Sequence, residues 1–361
     1  MHSECVGQGM NILSKLARHH RRLAGLPLKR KVYYMAQSIH GELWRRRGRG
    51  WFGPRLIEFT LTHRCQCRCE HCYVESDEPI ASPNEMTTNE VCGYLNQAAT
   101  LGCTEVCFTG GEPLMREDLC KLIAHARQLH MVSKINSNGL MLTPEMISAL
   151  KQAGLGWCSV SIDSPEPETH NRLRRFRGCY EQAVAGLREL VRQGVPASIT
   201  TYAERGRLLR GDMERIVKLG HDIGVETVRI LFPVPMGGFA HQQEKVLHLE
   251  EREAVRELLK DPLVTMESPR EGTRCTAAVT KFNVLPDATV TPCVFVPLSF
   301  GNLRKESLRK IWRRMAKFDE LCKPNGQCPM CNEQFREDLL GGRILQLERP
   351  TAVSEVLTVR A

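Results

Sequence analysis

The stretch Leu56-Ile57-Glu58-Phe59-Thr60-Leu61-Thr62 runs straight into His63-Arg64-Cys65-Gln66-Cys67-Arg68-Cys69-Glu70-His71-Cys72-Tyr73. Its first part alternates apolar and polar residues, the period of a β-strand. Its second part sets Cys65, Cys69 and Cys72 on one short segment at C-x3-C-x2-C spacing. Three thiolates this close can hold a four-iron cubane and leave its fourth iron open for a substrate or cofactor to chelate, whereas a closed structural site wants four ligands. The same positions also fall on one face of a helix, and free cysteine often serves as a small buried hydrophobe. Cys67 adds a fourth thiol inside the segment.

Outward from this stretch, strand-like and helix-like runs alternate. Further strands are expected at 105–109, 132–136, 158–162, 197–202 and 227–231, and helices near 88–101, 117–129, 144–153, 178–193, 211–223 and 250–260. In the helix near 178–193, Ala183, Leu187, Leu190 and Val191 recur at helical spacing and Gly194 supplies a stop. Six strand–helix units with right-handed crossovers imply a parallel sheet. A complete barrel of this kind has about eight, so the expected fold class is α/β, a partial (β/α)6 TIM-like barrel. Loops after the strands form the active face of such barrels, and the cysteine segment follows the first strand. Past residue 261 the alternation stops, and Asp261-Pro262, Ser268-Pro269 and Glu271-Gly272 read as a linker. The expected organisation is a basic arm at 1–54, the partial barrel at 55–261, a small C-terminal cysteine-rich α+β domain at 262–345 and a tail at 346–361.

After the second strand comes Phe108-Thr109-Gly110-Gly111-Glu112-Pro113, about 40 residues beyond the cysteine segment. Consecutive glycines at a strand end let backbone approach a ligand more closely than any residue with a Cβ. Together, the cysteine triplet and this turn resemble the radical S-adenosylmethionine (radical SAM) superfamily over roughly residues 56–240. The resemblance implies that Cys65, Cys69 and Cys72 ligate a 4Fe–4S cluster whose open iron takes the amino and carboxylate groups of S-adenosyl-L-methionine. Cys67 is then a non-ligand, because only the 65/69/72 triplet has the family spacing.

Cofactor contacts follow from the same resemblance: Tyr73, Gly110, Gly111 and Glu112, then Asn136, Ser137 and Asn138 after the third strand, and Ser161 and Asp163 after the fourth. Their hydroxyl, amide and carboxylate groups suit ribose hydroxyls and polar edges, although turn or cap duty is the ordinary alternative. Thr200 and Thr201 on the fifth strand are weaker candidates. The run His170-Asn171-Arg172-Leu173-Arg174 resembles a family segment whose arginine faces the cofactor carboxylate. Arg174 is the choice, since a guanidinium fork matches a carboxylate, and Arg172, Arg175 and Arg177 leave the register open.

Near the C-terminus stand Cys275, Cys293 and the C-x2-C pair Cys328 and Cys331. The run 285–293, followed by Phe300-Gly301-Asn302-Leu303 and Leu308-Arg309-Lys310-Ile311-Trp312, resembles the SPASM/twitch accessory domain, which carries auxiliary iron–sulfur clusters. Ala288 occupies a usual glycine position, and Glu337 and Gly341 stand where the fuller pattern has more cysteines. The expectation is therefore one auxiliary 4Fe–4S cluster on Cys275, Cys293, Cys328 and Cys331, with Cys322 a spare thiol and an all-thiolate zinc site the alternative.

Composition sets the remaining bounds. With 361 residues, 42% hydrophobic and 25% charged, the chain is an ordinary globular protein with room for one large and one small domain. No apolar run approaches the ~18 residues of a membrane span, and no secretory h-region is visible, so a cytoplasmic location is expected. Sixteen cysteines are then reduced thiols rather than a disulfide framework. Cys5, Cys92, Cys103, Cys107, Cys120, Cys158 and Cys179 are expected as core packing. Residues 1–55 carry 12 Lys/Arg against 2 Asp/Glu and so hold the whole net charge of +9. Within them, Ile12, Leu13, Leu16, Leu23 and Leu26 interleave with Lys15, Arg18, Arg21 and Arg22 as an amphipathic basic helix, expected as a solvated, partly ordered arm.

The resemblance implies reductive cleavage of S-adenosylmethionine to a 5′-deoxyadenosyl radical, which abstracts hydrogen from a substrate C–H bond. The expected partners are a peptide or small metabolite as substrate and a low-potential electron donor such as flavodoxin or ferredoxin; nucleic acid is not expected. Val294 stands where the sulfatase-maturing branch would carry an acidic residue, which disfavours that branch. No catalytic acid or base is assigned, and Asp287 and Glu226 are expected to be structural. An iron–sulfur electron carrier or scaffold is the non-enzyme alternative, and the Gly-Gly-Glu-Pro turn argues against it because a carrier needs no nucleotide pocket.

Overall fold

The computed structural model describes residues 27–47, 53–74, 84–240, 242–266, 275–318, 321, 328–340 and 351–352. The chain runs α1 (Leu28–Arg47), β1 (Leu56–Thr60), α2 (Thr88–Thr100), β2 (Glu105–Thr109), α3 (Leu119–Gln128), β3 (Val132–Ser137), α4 (Pro144–Ala153) and β4 (Trp157–Ser161). Next come α5 (Pro167–Arg174), α6 (Cys179–Arg192), β5 (Ala197–Tyr202), α7 (Arg205–Leu209), α8 (Asp212–Ile223), β6 (Thr227–Leu231), α9 (Leu249–Glu257) and β7 (Val264–Met266). The C-terminal part adds β8 (Lys281–Val284), β9 (Val290–Thr291), β10 (Leu298–Ser299), α10 (Leu308–Met315), α11 (Glu333–Leu340) and β11 (Thr351–Ala352).

Local chemistry explains the helix starts. Thr87 and Glu90 make a reciprocal capping box ahead of α2, whose Val91, Tyr94, Leu95 and Ala98 are buried at helical spacing. Thr143 caps α4, with Pro144 in its first turn. Nine strands form one sheet in the order β7-β6-β5-β4-β3-β2-β1-β8-β9. Every pairing from β7 through β1 to β8 is parallel, and only β8–β9 is antiparallel. The sheet is an unclosed barrel covered by helices. All five residues of β2 are buried, as a parallel strand covered on both faces requires, and Phe59 of β1 stacks on Phe108 of β2 with ring centroids 6.1 Å apart. Fully burying side chains of this size stabilises the fold by ~1.5–3 kcal/mol each.

Two expectations change. The alternation does not end at 261: β7 pairs with β6 through Val228↔Val264 and Ile230↔Met266. Three residues are too few to display a period. Beyond it, β8 pairs with β1 from Leu56↔Lys281 to Phe59↔Val284, so the cysteine-bearing part continues the barrel sheet. The basic arm also differs from a solvated segment, since its described part is the docked helix α1. Gln37 donates to the Gly102 carbonyl at 2.9 Å and accepts from Thr104 Oγ1 at 2.9 Å, and Tyr34 is 3% exposed. Residues 12–26, where the amphipathic pattern lies, fall outside the described residues.

Candidate iron–sulfur and nucleotide site

The loop leaving the C-terminal end of β1 holds no helix over 65–73, so its cysteines are not a buried helical face. Backbone bonds from three distant segments shape it. Gly111 N–H donates to Thr62 O at 2.8 Å and Glu112 N–H to Arg64 O at 2.7 Å. The N–H groups of Arg68 and Glu70 donate to the carbonyls of Arg174 (3.2 Å) and Leu173 (3.0 Å), and Gly238 N–H donates to Cys72 O at 2.8 Å.

Glycine is required where these segments touch. A Cβ on Gly111 would overlap Arg64 O and stand 2.6 Å from His63 O, while Gly110 has φ +150° and would meet Thr62 O. On the opposite side, a Cβ on Gly238 would stand 2.9 Å from the Glu70 carbonyl carbon, and one on Gly237 would stand 2.7 Å from Tyr73 Cα. The Gly-Gly pair therefore presses on the cysteine loop itself, although both of its members also line the cavity beside it.

The thiols differ in character. Cys67 is 1% exposed, and its thiol contacts Cys179, Cys65 and Cys69, contacts that push its own pKa up. The Cys67 thiol, working against burial, brings Cys65 down to about 7, and lowers Cys69 with help from Arg174. Asn138 Nδ2 also donates to Cys65 Sγ, and Arg174 Nη1 to Cys69 Sγ, both at 3.6 Å. Side-chain donors aimed at sulfur suit thiolate ligands of a cluster, so the donor set fits the implied 4Fe–4S centre.

The polar residues divide into two groups. Tyr73, Gly110, Gly111, Asn136, Ser137, Asn138, Ser161, Arg174 and Thr200 line the cavity. Glu112 and Asp163 are fully buried and not on its wall. Glu112 accepts from Leu114 N (3.1 Å), Ser137 Oγ (3.0 Å) and Asn138 N (2.7 Å), and burial pushes its carboxyl up to about 7. It fixes the turn that carries Ser137 and Asn138. Asp163 pairs with Arg174 at 2.5 Å and faces His71 Nε2 at 3.3 Å. Opposed by burial, the Arg174 charge holds it below the usual carboxylate range. Among the neighbouring arginines, Arg174 is the one on the cavity wall; Arg172 is exposed and pairs with Glu70 at 3.3 Å.

Cys275, Cys293, Cys328 and Cys331 line the same cavity, whose volume is about 400 Å³, together with Cys65, Cys69 and Cys72. Cys328 and Cys331 bracket a tight turn closed by Cys331 N–H to Cys328 O at 2.9 Å. The Cys275 sulfur accepts from Ala277 N–H at 3.5 Å and the Cys293 sulfur from Phe295 N–H at 3.4 Å. Backbone N–H groups aimed at sulfur again suit cluster ligands. Cys322 lies outside the described residues.

A family model for the radical SAM superfamily matches residues 59–203, and one for the SPASM iron–sulfur cluster-binding domain matches residues 275–333. The chain belongs to the radical SAM superfamily and carries a SPASM domain. It is 26% identical to an AdoMet-dependent heme synthase of Methanosarcina barkeri, over 77% of this chain and 88% of that one. It is 27% identical to a PqqA peptide cyclase of Ruegeria pomeroyi, over 74% and 75%. The crystal structure of Streptococcus suis SuiB bound to S-adenosylmethionine has the same fold, with TM-score 0.59 and 14% identity, over 77% of this chain and 69% of that one. This radical SAM chain is therefore an enzyme whose cofactors are S-adenosylmethionine and 4Fe–4S, with a second iron–sulfur centre in its SPASM domain.

Several residues at the site escape sequence reading. Gly237-Gly238 offered a signal, a second glycine pair just past a strand. His71, buried and 5.8 Å from the Phe239 ring, is brought down to about 4 by burial and so is neutral near pH 7. Arg229 Nε donates to Thr200 Oγ1 and its Nη2 to Asn136 Oδ1, both at 3.2 Å. Arg252 lies over the Phe232 ring at 5.3 Å. Nothing in the local pattern distinguishes these two from surface arginines. Asp287 accepts from Thr289 N–H (3.0 Å) and Thr289 Oγ1 (2.8 Å), a turn role. Cys103, Cys107, Cys158 and Cys179 are buried as core cysteines, and Cys5 lies outside the described residues.

Proposed function

We propose that this enzyme abstracts hydrogen from a small, carboxylate-bearing metabolite of the tetrapyrrole class and thereby oxidises it. We assign Cys65, Cys69 and Cys72 to the cluster that binds S-adenosylmethionine, and Cys275, Cys293, Cys328 and Cys331 to the auxiliary cluster. The observation that carries the reading is the shared cavity. Both cysteine sets open onto it, and the apolar Leu231, Phe232, Val234 and Phe295 line it as well, with the cations Arg229 and Arg252. An apolar wall with a few fixed cations suits a flat, acidic molecule. The heme synthases among the relatives support the substrate class.

When bound, the cluster and S-adenosylmethionine supply one-electron cleavage to a 5′-deoxyadenosyl radical. The chain's own residues orient and shield. Tyr73, its hydroxyl 3.3 Å from Thr109 Oγ1 and its ring edge-on to Phe295, ties the cysteine loop to the Cys293 segment and lines the cavity. Asn136, Ser137, Asn138 and Ser161 offer polar contacts to the nucleotide, and Arg174 offers a guanidinium beside Cys69. The electron donor is a low-potential carrier such as flavodoxin or ferredoxin, and the location is cytoplasmic; among the described residues no helix is long and apolar enough to cross a membrane. We retain 55–261 as the radical SAM core and 262–345 as the cluster-bearing domain.

Anaerobic turnover with dithionite tests the reading. Release of 5′-deoxyadenosine should rise when a porphyrin bearing propionates is added, and the porphyrin should lose mass. A peptide substrate, which the PqqA peptide cyclases favour, would instead leave deoxyadenosine unmoved by any porphyrin. Protein loaded with both clusters that releases no deoxyadenosine would favour a carrier.

A further inference from the structure

Arginine approaches both cysteine sets, but in opposite electrostatic settings. At the three-cysteine loop, the charge of Arg174 is matched by Asp163 at 2.5 Å. Near Cys293, Lys281 is likewise matched by Glu58 at 3.4 Å. Arg252 is different. It is 6% exposed, its Nε donates to the Leu247 carbonyl at 3.2 Å, and its guanidinium lies 5.3 Å over the ring of Phe232, the neighbour of Pro233, whose carbonyl is 3.8 Å from Cys331 Sγ; Arg252 and Cys331 line the same cavity. Arg336 donates to the carbonyl of Met330, the residue before Cys331, at 2.7 Å. Among the described residues, no carboxylate pairs with Arg252 or Arg336.

A buried cation without a carboxylate is costly unless another negative charge stands nearby. Four thiolates around an iron–sulfur cluster supply that charge. We propose that Arg252, assisted by Arg336, is the countercharge of the auxiliary cluster and holds its reduction potential above that of the three-cysteine cluster. Reduction adds one electron to a centre, and an unmatched neighbouring cation favours the more negative form. Beside the other centre, the Arg174–Asp163 pair is neutral as a unit and exerts little such pull. Arg252 acts through Cys331 and is a positioning residue. The inference rests on the auxiliary ligand set proposed above.

The test is an EPR-monitored redox titration of the fully loaded protein, with iron counted on the same samples. Arg252→Gln should lower the auxiliary midpoint so that the reduced-to-oxidised ratio at fixed potential falls about tenfold, which is about 59 mV for one electron. Arg252→Lys should keep most of the wild-type value, and the midpoint of the three-cysteine centre should not move. An unmoved auxiliary midpoint at full iron loading overturns the proposal, as does an equal shift of both centres. If Arg252→Gln does not retain auxiliary iron, Arg336→Gln decides: a smaller shift in the same direction supports the proposal, and no shift overturns it. A wild-type protein with about four irons and a single midpoint would overturn the ligand reading, and this proposal with it.

Discussion

Gly111→Ala puts the construction of the cysteine loop under the most direct strain. A Cβ at Gly111 overlaps Arg64 O and stands 2.6 Å from His63 O and 2.7 Å from the Arg64 carbonyl carbon. Comfortable contacts between such atoms begin near ~3.5 Å, so the shortfall approaches 1 Å. Every atom concerned is backbone, and no rotamer change relieves it. Moving the loop away would stretch the bonds from Gly111 N–H to Thr62 O and from Glu112 N–H to Arg64 O. Overpacking of this kind costs ~1–3 kcal/mol, and each weakened bond adds up to ~1 kcal/mol. A total of ~1–5 kcal/mol is a large part of the stability of an ordinary domain. Because Arg64 adjoins Cys65, the displacement passes to the thiols. Denaturant midpoints of the apoprotein should fall, and reconstituted iron should drop from about eight to about four atoms per chain. Gly93→Ala is the control: it lies inside α2 with nothing within 4 Å of the added Cβ, and should gain ~0.5–1 kcal/mol. A Gly111→Ala protein with wild-type midpoint and full iron would refute the view that this glycine exists to seat the loop.

Glu112→Gln should flatten the pH dependence of stability. Burial raises the folded carboxyl from 4.5 to about 7, so the folded state holds a proton that the unfolded state has released, and stability falls as pH rises through that window. The swing is on the order of 3 kcal/mol; equal slopes for wild type and variant in apoprotein denaturation between pH 5 and 7 would contradict it. Ala288 sits at φ +70°, so Ala288→Gly should gain up to ~1 kcal/mol after the entropy cost of glycine is subtracted, read as a higher melting temperature. Asn283→Ala leaves Thr60 and Thr291 without the partner that bonds them at 3.1 and 3.3 Å. It should cost ~1–3 kcal/mol in denaturant titrations and release auxiliary iron before the other centre's iron under mild chelation.

The strand–helix alternation was legible because each unit carries its own period and stop signals. Strands at 105–109, 197–202 and 227–231 match the structure end for end, and capped helices such as α2 and α4 lie within a residue of expectation. Short, non-local elements were not legible. β7 has three residues and β9 two, and β8 is a strand chiefly because β1, more than 200 residues earlier, offers it a free edge. The double glycine at 110–111 pointed to close approach, but its nearest partner is the cysteine loop, a fact held in tertiary packing. Glu112 and Asp163 stand as expected cofactor contacts on the family resemblance alone. Three hydrogen-bond donors in one case, and Arg174 with His71 in the other, allow both to be buried behind the wall instead.

The continuity of the sheet bears on how the two cysteine sets work together. Had the C-terminal part been a separate body, its distance from the first loop would depend on an interface free to shift. Instead, β8 shares four register pairs with β1, and the cysteine loop begins where β1 ends. Thr60 Oγ1 donates to Asn283 Oδ1, Asn283 Nδ2 donates to Thr291 Oγ1, and Thr291 Oγ1 donates to the Cys293 carbonyl at 3.1 Å. This buried polar chain links the last residue of β1 to the backbone of Cys293. Electron transfer and substrate positioning both depend steeply on separation, and a main-chain ladder with a satisfied polar network is stiffer than side-chain docking. The spacing between the two centres is thus a property of strand register, and a mutation that slips β8 against β1 would disturb both centres even if every thiol remained.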